Sequence, residues 1–181
     1  MKNLSLQEFK PTIYFLLKFI GIYVVGNLVY GWWVSTYSPG PDPFTHVVTK
    51  HVSGVLHFWF DVSVYDYADI PTCGLVYKSK SVLGVYEGCN GLNTAIIFVA
   101  FIIAFGPLNK TTAWFIPLGF LVIHVANLLR ITLLFFVALY RPDSLYFIHK
   151  YLFTAFLYAI IFALWMWWIR KNPRKVAAHG N

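Results

Sequence analysis

The chain has 181 residues, of which 59% are hydrophobic, 20% aromatic and only 12% charged, at a mean hydropathy of +0.63. A soluble domain carries about 25% charged residues, so this composition excludes disorder, coiled coil and collagen and points to a bilayer as solvent. The net charge of +7 does not imply a nucleic-acid partner, because bilayer insertion itself sorts Lys and Arg between the two faces.

In chain order, the first apolar run covers residues 12–34, broken only by Lys18 and Asn27 and closing on Trp32 and Trp33. About 20 apolar residues cross a hydrocarbon core, and no small-residue cleavage motif follows. We therefore expect an uncleaved first span. A second span is expected over 90–108 and a third over 113–140. The third would rise about 42 Å, which is longer than the core, so it tilts or projects. The fourth covers 151–169 and ends in Trp165, Trp167 and Trp168, an aromatic belt before Arg170 and Lys171. The expected fold is an all-α integral membrane protein: one domain over 1–181, built as a four-helix transmembrane bundle with a basic tail over 170–181.

Between the first two spans lies the segment 35–89. Ser38-Pro39-Gly40-Pro41 reads as a stop, and Asp42 before Pro43 is a good N-cap with proline at the first helical position. Phe44, Val47, Val48, Val52, Val55, Leu56 and Trp59 then recur at helical spacing. The pattern predicts an amphipathic helix lying on the outer leaflet. Residues 73–86, with Lys78-Ser79-Lys80-Ser81 between two apolar strands, predict a small β-hairpin. This hairpin leads into Glu87-Gly88-Cys89-Asn90-Gly91.

With four spans both termini share a side, which also holds Lys2, Lys10, Lys110, Arg170, Lys171, Arg174 and Lys175. The other side carries all but one of the seven acids: Asp42, Asp61, Asp66, Asp69, Glu87 and Asp143. The bias of basic residues predicts cytoplasmic termini, with 35–89 and 141–150 facing outward.

Polar groups at the ends of spans are costly and mark function more often than elsewhere. Cys89 opens the second span, where unpaired helix N–H groups favour a thiolate. Arg130 falls near the outer end of the third, with Asn127 one turn earlier on the same face. His149 precedes the fourth. Three helices thus bring a thiol, a fixed cation and a general acid/base to one depth, the parts needed for thiol acyl transfer. His124 lies deeper and is expected as a packed, hydrogen-bonded histidine. His46, His51 and His57 do not converge from one helix, so no metal site is expected. No cofactor is expected either, since no glycine-rich phosphate loop is present.

These residues resemble the exosortase/archaeosortase family of membrane cysteine transpeptidases, over roughly residues 80–165. The resemblance rests on Cys89-Asn90-Gly91 opening a membrane helix, Asn127 to Arg130 within the next, and His149 before the last. It is greatest to the compact F-type members. It implies Cys89, Arg130 and His149 as catalytic residues, with Asn127, Asn90 and Glu87 in support. It also implies a bacterial inner-membrane location with the site facing outward. The substrates would be exported proteins with a C-terminal sorting signal: a short motif, a hydrophobic span and a basic tail. Larger members have more spans, so a membrane partner protein is an open expectation. Two other readings remain: a quinone-linked four-helix thiol oxidase using Cys73 and Cys89, and a membrane scaffold without activity.

Overall fold

The computed structural model describes residues 6–106 and 109–171. Lys2, Arg174, Lys175 and all but the first two residues of the basic tail lie outside the described residues. Three helices are long and apolar enough to cross a membrane: Phe9–Ser35, Lys110–Tyr140 and Pro142–Lys171. A fourth apolar helix, Leu92–Phe105, is shorter.

The first helix, α1 (Leu6–Ser35), starts earlier than the apolar run because the polar turn before Pro11 continues the helix. It turns most of its apolar surface outward and meets α3 (Leu92–Phe105) through Phe15, whose ring stands edge-on to Phe101 and Phe105 at 5.6 Å. The next helix, α2 (Pro43–Leu56), begins where expected: Asp42 accepts from the Phe44 and Thr45 N–H groups, both at 3.0 Å, and Pro43 needs no partner.

Of the apolar set on and after α2, Val47, Val55 and Trp59 are exposed, while Val48, Val52 and Leu56 are fully buried within the protein. They close a core with Val62, Leu75, Val85, Cys89, Ile131 and Phe135. Hydrophobic periodicity marks a buried face but does not say what covers it. Each such side chain stabilises the fold by roughly 1.5–3 kcal/mol.

The cover is a sheet that is larger than the expected hairpin. Strands β1 (Val62–Asp66), β2 (Thr72–Tyr77) and β3 (Lys80–Tyr86) form an antiparallel meander in the order β1-β2-β3. The hairpin of β2 and β3 is present, turning at Lys78 and Ser79 with positive φ. Strand β1 was missed because Val62-Ser63-Val64-Tyr65-Asp66 is short and mostly exposed.

A second core lies deeper, where Phe98 and Ile102 of α3 meet Phe115 and Ile123 of α4 (Lys110–Tyr140) and Ile161, Leu164 and Trp168 of α6 (Phe153–Lys171). Asn109 caps α4, its side chain accepting from the Thr112 N–H at 3.0 Å. The segment 141–150, expected to face outward ahead of a fourth span over 151–169, already belongs to that helix. Apart from Arg141 it is helical: a 3-10 turn over Pro142–Ser144, α5 (Leu145–Phe147) and a π turn over Ile148–Leu152 that runs into α6.

Candidate active site

Cys89 ends a 3-10 turn, Glu87–Cys89, that joins β3 to α3. Two glycines make this turn fit. Gly91 takes φ 89°, and a Cβ there would also lie 3.2 Å from the Asn127 side chain. A Cβ on Gly88 would come within 2.5 Å of the Tyr86 ring. The Glu-Gly-Cys-Asn-Gly wording therefore has a steric reason at each glycine.

The side chains of His149 and Arg130 meet beside the Cys89 sulfur. His149 Nε2 lies 3.3 Å from Sγ, and Arg130 Nη2 lies 3.1 Å from the same nitrogen. A guanidinium can only donate, so Nε2 accepts from Arg130, and its lone pair also faces the Cys89 thiol. Arg130 Nη1 donates to Asn127 Oδ1 at 3.2 Å, and Asn127 Nδ2 donates to the Cys89 carbonyl at 2.9 Å. One amide thus positions both the cation and the backbone of the cysteine. Arg130 is only 5% exposed, and its Nε has no hydrogen-bond partner among the described residues.

The π turn explains how His149 gets there. A π turn widens the helix and is frequent at functional sites. The His149 carbonyl is engaged by the Thr154 hydroxyl at 3.3 Å.

Burial pushes the Cys89 thiol up from its ordinary range, while the Arg130 charge and hydrogen bonds from Tyr86 and Arg130 pull it back down. The expectation of a thiolate at a helix start thus meets a larger opposing effect, desolvation. Tyr86, which the sequence reading did not single out, contacts Cys89 through both side chain and backbone. Its place at the end of a strand, three residues before a cysteine, was the available signal.

The supporting residues divide. Asn90 is buried, donating to the Tyr30 hydroxyl at 2.7 Å and the Thr45 hydroxyl at 3.0 Å and accepting from the Leu92 N–H at 2.9 Å. It ties the turn to α1 and α2 and faces away from the chemistry. Glu87 meets Tyr30 through its backbone carbonyl, and one carboxylate oxygen is buried without a partner among the described residues.

Beside Cys89 is a cavity of about 370 Å3, whose walls include Tyr86, Ile131, Leu134, Leu145, Tyr146 and His149. The other histidines lie elsewhere. His124 is half-buried on α4 and 3.2 Å from His51, the two rings meeting edge-on. His57 lies 3.8 Å from exposed Asp61.

His46 has a different partner, Asp66 on β1, with Nδ1 2.7 Å from the carboxylate. Cys73 stands opposite Asp66 in the β1–β2 register, and the donor atoms of all three lie within 4.8 Å of one another. Among the described residues this is the one group of three with metal-ligand chemistry at such spacing. Its own contacts account for it: the carboxylate accepts from His46 and from the Cys73 thiol. Burial and that carboxylate push Cys73 up to about 12. Searching one helix for a metal site could not find it, because β1 supplies Asp66.

No family model matches the chain, and no curated protein or solved structure matches it.

Proposed function

We propose that this protein is an exosortase-like cysteine transpeptidase or peptidase acting at the outer face of a bacterial inner membrane, with both termini in the cytoplasm. The observation that carries the reading is the contact of Cys89 Sγ with His149 Nε2 at 3.3 Å, with Arg130 bonded to the same nitrogen. A nucleophile within reach of a base, and a base held by a third group, is the arrangement of covalent acyl transfer.

In this reading His149 Nε2 takes the Cys89 proton as the sulfur attacks the scissile carbonyl. Arg130 then turns from the imidazole toward the sulfur and the developing oxyanion. The tetrahedral intermediate collapses to a thioester. The C–N bond breaks, and the leaving amine receives the proton from His149. An amine or water attacks the thioester next and regenerates the thiol. The substrates are exported proteins whose C-terminal sorting signal combines a short motif, a hydrophobic span and a basic tail. A membrane partner protein would supply further recognition surface.

The test is co-expression with candidate tail-anchored secreted proteins, scoring loss of the tail. We expect tail loss with the wild type and none with Cys89→Ala. Tail loss with both would overturn the reading.

A further inference from the structure

The free edge of β3 offers a binding site of its own. The sheet order is β1-β2-β3, so β3 pairs with β2 on one side only. Among the described residues no backbone hydrogen bond reaches β3 from any other element. In a strand, successive side chains point to opposite faces, so a cavity on one face of a sheet meets alternate residues. The cavity beside Cys89 instead meets four consecutive residues of β3, from Leu83 to Tyr86, and no residue of β2. It therefore runs along the edge of the strand. Across the slot stand Pro142, Leu145, Tyr146 and His149.

The edge is of the kind that accepts another strand. Proteins usually protect exposed edges with charge, proline or a bulge. Here Lys78 and Lys80 sit at the turn, and the irregularity in register leaves Val82 of β3 without a partner, just ahead of the docking stretch. The stretch Leu83–Tyr86 pairs with Thr72–Leu75 without a shift, and Gly84 and Tyr86 are exposed. At its end lies Cys89, with His149 on the opposite wall.

We infer that the slot takes an extended peptide as a fourth strand, hydrogen-bonded to the β3 edge over Leu83–Tyr86. This deepens the transpeptidase reading and rests on it for the peptide's identity: the residues preceding the scissile carbonyl. Backbone hydrogen bonds supply affinity in this mode, and alternate side chains supply specificity. Its direction follows from the same reading. The substrate enters the bilayer after the scissile bond, as this chain does after Cys89, so it runs parallel to β3. One alternating set of its N–H and C=O groups meets β3, and the other faces the 142–149 wall.

The first probe is an acetylated tetrapeptide of alternating valine and threonine ending in a vinyl sulfone. The Cys89 thiolate adds to the vinyl carbon β to the sulfone, forming a C–S bond, and a proton enters at the carbon beside the sulfone. We expect labelling of Cys89 about tenfold or more faster than by methyl vinyl sulfone, which has no peptide. N-methylation of one alternating set of amides should cost about tenfold, while the intervening set should cost little. Equal effects at every position, no effect at any, or no advantage over methyl vinyl sulfone would overturn the slot.

The second measurement does not need the thiol. In Cys89→Ala, the same peptide as a carboxamide should slow amide hydrogen exchange at alternate residues of 83–86. Absence of protection overturns the slot even where tails are cleaved. Protection without tail cleavage keeps the slot and removes the transpeptidase reading.

Discussion

The side-chain amide of Asn127 donates to the backbone carbonyl of Cys89 at 2.9 Å, so a residue in the middle of a long helix fixes the turn that carries the thiol. The same side chain accepts from Arg130 at 3.2 Å. Asn127 is fully buried, so neither contact can be replaced by water.

Asn127→Asp should therefore be more harmful than its size suggests. The carboxylate keeps an acceptor for Arg130 but loses the donor to Cys89 and adds a buried charge. Leaving a buried group unsatisfied costs about 1–3 kcal/mol, so tail cleavage should fall roughly tenfold to a hundredfold. Wild-type turnover by Asn127→Asp would remove Asn127 from the site.

At position 130, Arg130→Lys should be nearly as damaging as Arg130→Ala. The guanidinium uses one nitrogen for Asn127 and another for His149. Lysine offers a single flexible ammonium that cannot reproduce the planar fork. Losing one donor to an oxyanion lowers the rate on the order of 100–1000-fold. Steady-state cleavage by the two variants decides it; near-complete rescue by lysine would reduce Arg130 to a general source of positive charge.

The pH dependence follows from the raised Cys89 thiol. A thiol reacts as its thiolate, so iodoacetamide labelling of Cys89 should climb with pH and reach its midpoint above the ordinary thiol value of about 8.5. Arg130 and Tyr86 both favour the thiolate. Arg130→Ala and Tyr86→Phe should each move the midpoint further up and slow labelling at neutral pH. A midpoint below the ordinary value in the wild type would contradict the dominance of burial. His149→Ala should still be labelled by iodoacetamide yet turn over peptide poorly, because the leaving amine loses its proton donor.

Cys73 should be dispensable for activity. Its thiol is fully buried and pushed up to about 12, so almost no thiolate exists at neutral pH to take part in disulfide exchange. Cys73→Ser should keep tail cleavage within a few-fold of wild type, given the roughly 1 kcal/mol typical of single substitutions. Equal losses in Cys73→Ser and Cys89→Ser, measured in the same assay, would favour a thiol oxidase.

Topology can be read by labelling introduced cysteines in intact cells. Asp61→Cys and Asp143→Cys should react with a membrane-impermeant maleimide, and Lys110→Cys only after the cells are opened. Labelling of Lys110→Cys from outside would reverse the orientation and place Cys89 in the cytoplasm.

The amino-acid sequence determined much of this protein by local rules. Apolar runs mark helices because backbone groups in lipid must be satisfied within the segment. Asp42 and Pro43 mark a helix start because capping is a contact between near neighbours in the chain. Cys89, Arg130 and His149 were legible because polar groups beside long apolar runs are scarce. Asn127 followed from Arg130 by helical spacing alone. Tertiary structure decided what the local rules cannot reach. The apolar face of α2 was visible, but its cover is a sheet whose third strand, β1, is only five residues long. The helical path from Pro142 into the π turn lies ahead of the expected start of the fourth span, because proline and polar residues at its start look like a break. The contacts of Asp66 with His46 and of the β3 edge with the facing helix join residues distant in the chain. Such pairings depend on strand register and helix packing, which no local spacing encodes.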